Sequence, residues 1–310
     1  MPALRPTLRR DDAIARGILL RCAAAACFSG MSALLKAAST HGVVAAEMLF
    51  YRAAFGLPVV LVWVLGGQGA RALATQRPWM HVGRSVLGIS SILLTFQALV
   101  MLPLADAITM SFTAPIFATI LSATVLGEAV GRHRWLAVAA GFAGVAVVMR
   151  PGGAGHALPL AGIGLALAAA LGTASVTVTL RQLGSTETVG AIVFWFFTGS
   201  AVVGGALLPF FGHAHAPATL ALLAGGGIAG GLAQIAMTAS LRHAPVSVLS
   251  PFDYLQIIGA TLLGWWLLAT VPTANTAAGA ALIVASGLYT AWREHRRRRT
   301  HAVPATQPLG

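Results

Sequence analysis

Ten stretches of this chain are apolar and long enough to cross a bilayer: 17–38, 44–66, 82–102, 105–126, 134–150, 160–180, 188–211, 218–240, 246–269 and 276–292. At about 1.5 Å of rise per residue, about 20 helical residues match a hydrocarbon core of roughly 30 Å. No polar skin is left over for a soluble surface. Hydrophobic residues make up 57% of the chain and charged residues 9%, against roughly 25% charged in an ordinary soluble domain, and mean hydropathy is +0.81. In lipid every backbone N–H and C=O must be paired within the protein. The predicted fold class is therefore an all-α membrane protein of ten transmembrane helices.

The breaks carry turn chemistry, as in Gly66-Gly67-Gln68-Gly69, Arg150-Pro151-Gly152-Gly153 and Val271-Pro272-Thr273. Short connections make neighbouring helices antiparallel. The charges are sorted by sign, with 20 Lys and Arg against 8 Asp and Glu. Arg5, Arg9, Arg10 and Arg16 precede the first run, and Arg293 and Arg296 to Arg299 follow the last. Alternate breaks hold Arg71, Arg77 and Arg84, then Arg132 and Arg134, then Arg181 and Arg242, with Arg150 the exception. Lys and Arg mark cytoplasmic loops, so both termini are expected in the cytoplasm of a bacterial cell, with the chain in its inner membrane. A nucleic-acid partner is excluded, because that needs a basic stripe on a soluble domain.

Two halves of the sequence match. Met101-Leu102-Pro103-Leu104-Ala105-Asp106-Ala107 lies over His243-Ala244-Pro245-Val246-Ser247-Val248-Leu249, and the same offset sets Gly127-Glu128 over Ala269-Thr270. One residue of slippage later, Gly144 meets Gly287. Each half then has five spans, and an odd number inverts the second copy relative to the first. Inverted repeats with a solute site near the midplane are the build of secondary transporters. The organisation expected is a basic segment 1–16, repeat 1 at 17–150, an external linker 151–159, repeat 2 at 160–292 and a basic tail 293–310. Thirty-five glycines, including the run Gly225-Gly226-Gly227-Ile228-Ala229-Gly230-Gly231, predict close helix contacts through small residues. Cys22 and Cys27 are expected to be small packing residues.

These residues carry a resemblance. Ala98…Pro103-Leu104-Ala105-Asp106-Ala107…Ala114-Pro115…Gly127-Glu128…Gly144-Val145, and its second copy Ala244-Pro245-Val246-Ser247-Val248…Gly279-Ala280…Ser286-Gly287-Leu288-Tyr289, resemble the EamA repeat of the drug/metabolite transporter superfamily. The likeness covers roughly residues 15 to 293. Ser250-Pro251-Phe252-Asp253-Tyr254-Leu255-Gln256 is similar to a subgroup of riboflavin, S-adenosylmethionine and metallophore carriers. The resemblance implies a solute that is polar, often aromatic or zwitterionic. The chain departs from the family at Ala269-Thr270, where Gly-Glu is usual, so the second repeat lacks the carboxylate that the first keeps as Glu128.

Charged residues inside a span are expensive and point to function. Lys36 and Glu47 face each other across the first short loop and are expected to pair, as a structural bridge or a gate. Arg52 lies five residues past Glu47, about 140° around the helix, and needs a carbonyl, another helix or an anionic solute group. Polar residues form stripes: Cys22, Ser29 and Lys36, with Ser32 close by; Gly227, Gly231, Gln234 and Thr238; Ser247, Ser250 and Tyr254, beside Asp253 and Gln256. Such stripes should face the bundle interior. Phe28, Phe112 and Tyr254 are placed to stack on a ring. The expected solute-binding set is Phe28, Ser32, Arg52, Gln97, Phe112, Gln234, Ser250, Asp253 and Tyr254. Phe194, Trp195, Phe196 and Phe197 are expected to pack or face lipid, and Trp265, Trp266 and Trp292 to sit at the interface.

No catalytic set, phosphate loop or metal motif is present. His213, His215 and His156 are expected in outside loops with no Cys or carboxylate to frame them as metal ligands. No cofactor is implied. Without a Walker motif, energy must come from a gradient, an exchanged solute or the solute itself, with Asp253 or Glu47 as candidate carriers of a coupling proton. The partners expected are a small-molecule solute and the lipid bilayer, with the chain a monomer or homodimer. An intramembrane enzyme acting on lipid head groups would need clustered His, Asp or Glu at one face, and a non-transporting scaffold would need no inward polar stripes. Reporter fusions within 67–81 and 293–310 should be active in the cytoplasm, and within 151–158 and 212–217 outside. An outside-active reporter at the C-terminus would rule out ten spans.

Overall fold

The computed structural model describes residues 5–67, 69–124, 131–149, 158–183 and 187–301. Glu128, Arg150 and His156 lie outside the described residues. Among those described, the regular elements are all helical: α1 (Arg5–Ser39), α2 (Ala45–Gly67), α3 (Pro78–Met101), α4 (Leu104–Ser111), α5 (Ala114–Thr124), α6 (Arg132–Met149), α7 (Leu160–Leu183), α8 (Val189–Phe211), α9 (Pro217–Ser240), α10 (Val246–Leu249), α11 (Leu255–Leu268) and α12 (Ala274–His301). Single 3₁₀ turns at Ala70–Leu73 and Ser250–Tyr254 complete the order. Six helical segments among the described residues are long and apolar enough to cross a membrane: Asp12–Ser39, Ala45–Gly67, Pro78–Met101, Leu104–Leu121, Val189–Phe211 and Pro217–Ser240. Trp135–Met149 and Leu160–Val176 are shorter and also apolar. Large apolar side chains such as Trp79, Phe210 and Trp266 are exposed on the outer surface, as lipid-facing residues would be.

Two predicted runs are not single helices. The run 105–126 breaks between α4 and α5. Pro115 has no N–H to offer the carbonyl of Ser111, so the helix cannot continue through it. The chain tightens instead: the N–H of Phe112 donates to Thr109 O at 3.2 Å and that of Thr113 to Met110 O at 3.1 Å. The run 246–269 breaks likewise, with Pro251 at the start of the 3₁₀ turn between α10 and α11. The two breaks occupy corresponding positions of the two halves.

The helices pair across the chain rather than along it. α1 lies along α9 and α3 along α7; α2 packs on α8 and on α9, and α6 on α12. α1 also reaches α11, α5 reaches α7, α3 touches α8 and α4 touches α11. One core cluster gathers Met31 and Leu35 of α1, Phe96 and Leu99 of α3, Leu104 and Met110 of α4, and Leu223 of α9. A second joins Leu49, Ala53, Val60 and Val64 of α2 to Val193, Phe196 and Phe197 of α8 and Ile235 of α9.

Glycines set the closest approach. A Cβ at Gly227 would meet Tyr51 O at 2.8 Å and Phe55 Cβ at 2.6 Å, and one at Gly231 would meet Gly56 O at 3.0 Å. The face Gly227–Gly231 of α9 thus rests on the backbone of α2, while Gly226 abuts Leu35 of α1. The packing expectation for this run holds, because a side chain here would push two helices apart. Gly227→Val should destabilise the protein by at least about 1–3 kcal/mol, the usual overpacking cost. Gly164→Ala, where nothing lies within 4 Å, should be neutral or slightly stabilising. Thermal unfolding of the two purified variants checks both.

Candidate solute site

The broken helices bring two of the expected ring-stacking residues together. Phe112, at the end of α4, and Tyr254, at the end of the 3₁₀ turn, lie 4.9 Å apart between ring centroids at 37°. They stand in the same register as Pro103 and Pro245, so equivalent positions of the two halves meet. Phe28 and Phe112 are both half-buried against the first core cluster. Interrupted helices of this kind hold the solute in many transporters, since their free backbone groups line a cavity.

Asp253 precedes Tyr254 and is held by a residue that the sequence reading passed over. Arg21 of α1 grips it with both ends of its fork, Nε to Oδ1 at 2.5 Å and Nη2 to Oδ2 at 2.6 Å. A signal was available: Arg21 is the lone cation of the first half of its run, and Asp253 the lone acid between 188 and 292. Ser29 of α1 donates to Ala25 O at 2.9 Å and approaches Gln256 O at 3.3 Å. A further buried acid, Asp106 of α4, accepts from Thr276 Oγ1 at 2.6 Å. Among the remaining expected residues, Ser32 and Gln234 are buried on α1 and α9, Ser250 is half-buried, and Gln97 is exposed on α3.

Lys36 and Glu47 do not pair. Lys36 Nζ donates to Leu99 O at 2.8 Å and Val100 O at 3.0 Å, the carbonyls at the C-terminal end of α3. Pro103 has no N–H, so Leu99 O lacks its usual helical donor, and a cation suits the negative end of a helix. A helical side chain leans toward its own N-terminus, which carries Lys36 away from the loop to Glu47. Glu47 is fully buried and serves its own helix. Its Oε2 accepts from Val44 N at 2.9 Å, closing the first turn as a capping box does. Its Oε1 accepts from His213 N at 2.7 Å and meets His215 Nε2 at 2.8 Å. A carboxylate therefore does frame the 212–216 loop histidines, contrary to the expectation, because α2 begins beside the end of α8.

The opposite end of the same helix pair repeats this arrangement. Glu187, buried just before α8, accepts through Oε1 from Thr75 Oγ1 at 3.0 Å and Gln76 N at 3.1 Å. Its Oε2 lies 3.7 Å from His81 Nε2. Burial alone would push the Glu187 carboxyl up, but the bonds from Gln76 and Thr75 and the neighbouring imidazole outweigh it and hold the group below the usual carboxylate range. Thr188 caps α8 by accepting from Ala191 N at 3.0 Å and donates to Ala72 O at 2.7 Å. Trp195 donates its indole N–H to Leu73 O at 3.1 Å.

Two arginines lie between these ends. Arg52 of α2 and Arg84 of α3 are 1% and 3% exposed, so Arg84 belongs inside the bundle rather than in the basic segment where the charge pattern put it. The guanidinium of Arg52 lies 4.7 Å from the Phe197 ring centroid and 5.7 Å from that of Phe196; Arg84 lies 4.1 Å from Phe196. Phe196 and Phe197 therefore pack in the second core cluster, as expected, and also carry the two guanidinium groups against their rings. No described residue accepts a hydrogen bond from Nε or Nη1 of either arginine. Each ring contact is worth about 0.5–2 kcal/mol, well short of the several kcal/mol that an unpaired buried charge costs.

A bundle of apolar helices with paired breaks and carboxylate-held ends is the build of a multi-pass membrane protein. The model of the EamA-like transporter family matches residues 15–150 and again 160–292. The chain belongs to that family, as the proline motifs implied. It is 31% identical over 276 residues to the pseudopaline exporter of Pseudomonas aeruginosa, covering 88% of this chain and 95% of the relative. It is 32% identical over 235 residues to a riboflavin transporter of Rhizobium johnstonii, covering 76% and 77%. An S-adenosylmethionine uptake transporter of Rickettsia prowazekii is 24% identical over 251 residues, covering 81% and 84%. A solved crystal structure matches with a TM-score of 0.62 at 23% identity over 91% of this chain and 98% of the other, which speaks to the fold alone.

Glu47→Gln should lower stability by about 1–3 kcal/mol, since it weakens the acceptor for buried donors. Exchanging the two residues, as Lys36→Glu with Glu47→Lys, should not restore it, because their partners are different. Thermal unfolding of the single and double variants checks this, and rescue by the exchange would reinstate a direct pair.

Proposed function

We propose that this chain is a secondary transporter of ten spans, arranged as two inverted five-helix repeats, that moves a small polar organic solute across the bacterial inner membrane by alternating access. Both termini lie in the cytoplasm. Repeat 1 comprises α1 to α6 and repeat 2 comprises α7 to α12, with the α4–α5 and α10–α11 pairs each forming one broken span. The observation that carries this reading is the packing. Exchanging the repeats turns the α1–α9 contact into α7–α3, α2–α9 into α8–α3 and α1–α11 into α7–α5, and leaves α2–α8 and α6–α12 as they are. An inverted pair related by a twofold axis in the membrane plane requires these exchanges.

The two carboxylates supply the gates. Glu47 begins α2 and ties the loop after α8, while Glu187 precedes α8 and ties the segment after α2. Each repeat thereby closes the other, one at each membrane face. Opening at one face needs only the release of hydrogen bonds to one carboxylate, while the other tie keeps the bundle shut. The relatives named as exporter and as uptake transporters show that this build serves both directions. Riboflavin and S-adenosylmethionine, the solutes in the names of relatives, support a solute that is organic and polar, with a ring that Phe28, Phe112 and Tyr254 can flank. Ser32, Gln234 and Ser250 offer it hydrogen bonds.

The test uses a background in which Cys22 and Cys27 are replaced by Ala. A disulfide between cysteines placed at Ala72 and Thr188, which meet at the same face as Glu187, or between cysteines at Val44 and His213, should each stop uptake of riboflavin or S-adenosylmethionine into proteoliposomes, whichever the parent carries. Dithiothreitol should restore it. Undiminished uptake through both locked proteins would exclude alternating access.

A further inference from the structure

We infer that Arg52 and Arg84 together grip an oxyanion group, a carboxylate or phosphate, of the transported solute, between α2, α3 and α8. The inference rests on the transport reading and adds to it a residue that the charge pattern assigned to a loop, and a ligand class. Both guanidinium groups sit over the ring of Phe196, so the two cations are no farther apart than the sum of their distances to it, 5.7 and 4.1 Å. Like charges that close in a low-dielectric interior repel strongly. The nearby carboxylates are engaged elsewhere: Glu47 with Val44, His213 and His215, and Glu187 with Thr75, Gln76 and His81.

Geometry and chemistry favour an oxyanion. Nε and Nη1 of both arginines are buried donors without acceptors among the described residues, as is the hydroxyl of Thr198 one residue beyond Phe197. A guanidinium presents a fixed fork that matches carboxylate or phosphate with two parallel hydrogen bonds. Glycines let the arginines and their aromatic ring settle against the neighbouring helices. A Cβ at Gly230 of α9 would come within 3.2 Å of Arg52 Nε, and one at Gly88, a turn beyond Arg84, within 2.9 Å of the Phe196 ring. A structural role for the arginines would need a protein acceptor, and the described residues supply none. An anion arriving with the solute would neutralise both cations at once and make occupancy of the site favourable, as a transport cycle needs.

The experiment measures thermal unfolding of the full chain in an uncharged detergent with citrate, inorganic phosphate or the uncharged trimethyl ester of citrate. Citrate should stabilise the wild type saturably, and the ester should not. Arg52→Gln and Arg84→Gln should each weaken the apparent Kd for citrate by about tenfold or more, while melting no lower than wild type in its absence, since an unpaired charge has gone. Arg52→Lys and Arg84→Lys keep the charge but lose the fork, so they report even where a Gln variant fails to fold, with about the same loss. Replacing Arg296 to Arg299 by Gln should leave the citrate effect intact; its disappearance there would assign binding to the basic tail and overturn the proposal. Phosphatidylglycerol that stabilises the protein equally and abolishes the citrate effect would assign the site to a lipid head group, which also overturns it. Solute uptake in proteoliposomes separates the two claims. Uptake that persists undiminished in Arg84→Gln would sink the oxyanion grip and leave transport standing. Citrate binding that depends on both arginines, without uptake of any anion, would sink transport and leave the grip.

Discussion

Hydrocarbon offers no partner to a peptide N–H or C=O, so each end and each break of a helix in this chain must be completed by another part of the same chain. The few polar side chains are distributed accordingly. Lys36 completes the last carbonyls of α3, Glu47 the first N–H groups of α2 and the loop after α8, Glu187 the segment that leads into α3, and Thr188 the start of α8. Asp106 at the start of α4 takes the hydroxyl of Thr276 at the start of α12. Polar residues that read in the sequence as isolated charges are in the fold the terminators of helices.

The same rule makes the exceptions informative. Phe112, Tyr254 and the turns around them sit where prolines interrupt α4–α5 and α10–α11, and the proximity of the two breaks builds a locally irregular backbone inside the bundle. Arg21 and Asp253 close one side of this region as a two-pronged pair. Arg52 and Arg84 close nothing. They rest on aromatic faces with buried donors unmatched, which in a low-dielectric interior is costly enough to need a reason beyond packing.

Duplication explains both the order and the departures from it. The two copies share the Pro103 and Pro245 position and the pairing of most of their helices, yet Asp106 corresponds to Val248, Ser111 to Asp253 and Pro115 to Ile257 in the register that aligns those prolines. The scaffold is symmetric and the chemistry is not. In the proposed transport cycle a solute between the halves would meet a different side chain from each, with α2 and α3 supplying the cations and the second broken span supplying Tyr254 and a paired acid.

Hydropathy and spacing by themselves determined that the chain lives in a membrane as helices, where its apolar runs lie, and, through Pro103 and Gly144 with their second copies Pro245 and Gly287, that it resembles the EamA repeat. These follow from properties that act along the chain: the length of an apolar run, the missing N–H of proline, the recurrence of a motif. Tertiary structure alone decided what each polar group meets. Lys36 and Glu47 are close in sequence and are nevertheless engaged with α3 and with the loop after α8, because a helical side chain leans back along its own axis and the nearest unpaired backbone group wins. Arg84 was counted with the loops since a charge near the end of an apolar run looks solvated. Its burial became visible only when α8 laid Phe196 across it, for a partner more than a hundred residues away leaves no local trace in the sequence.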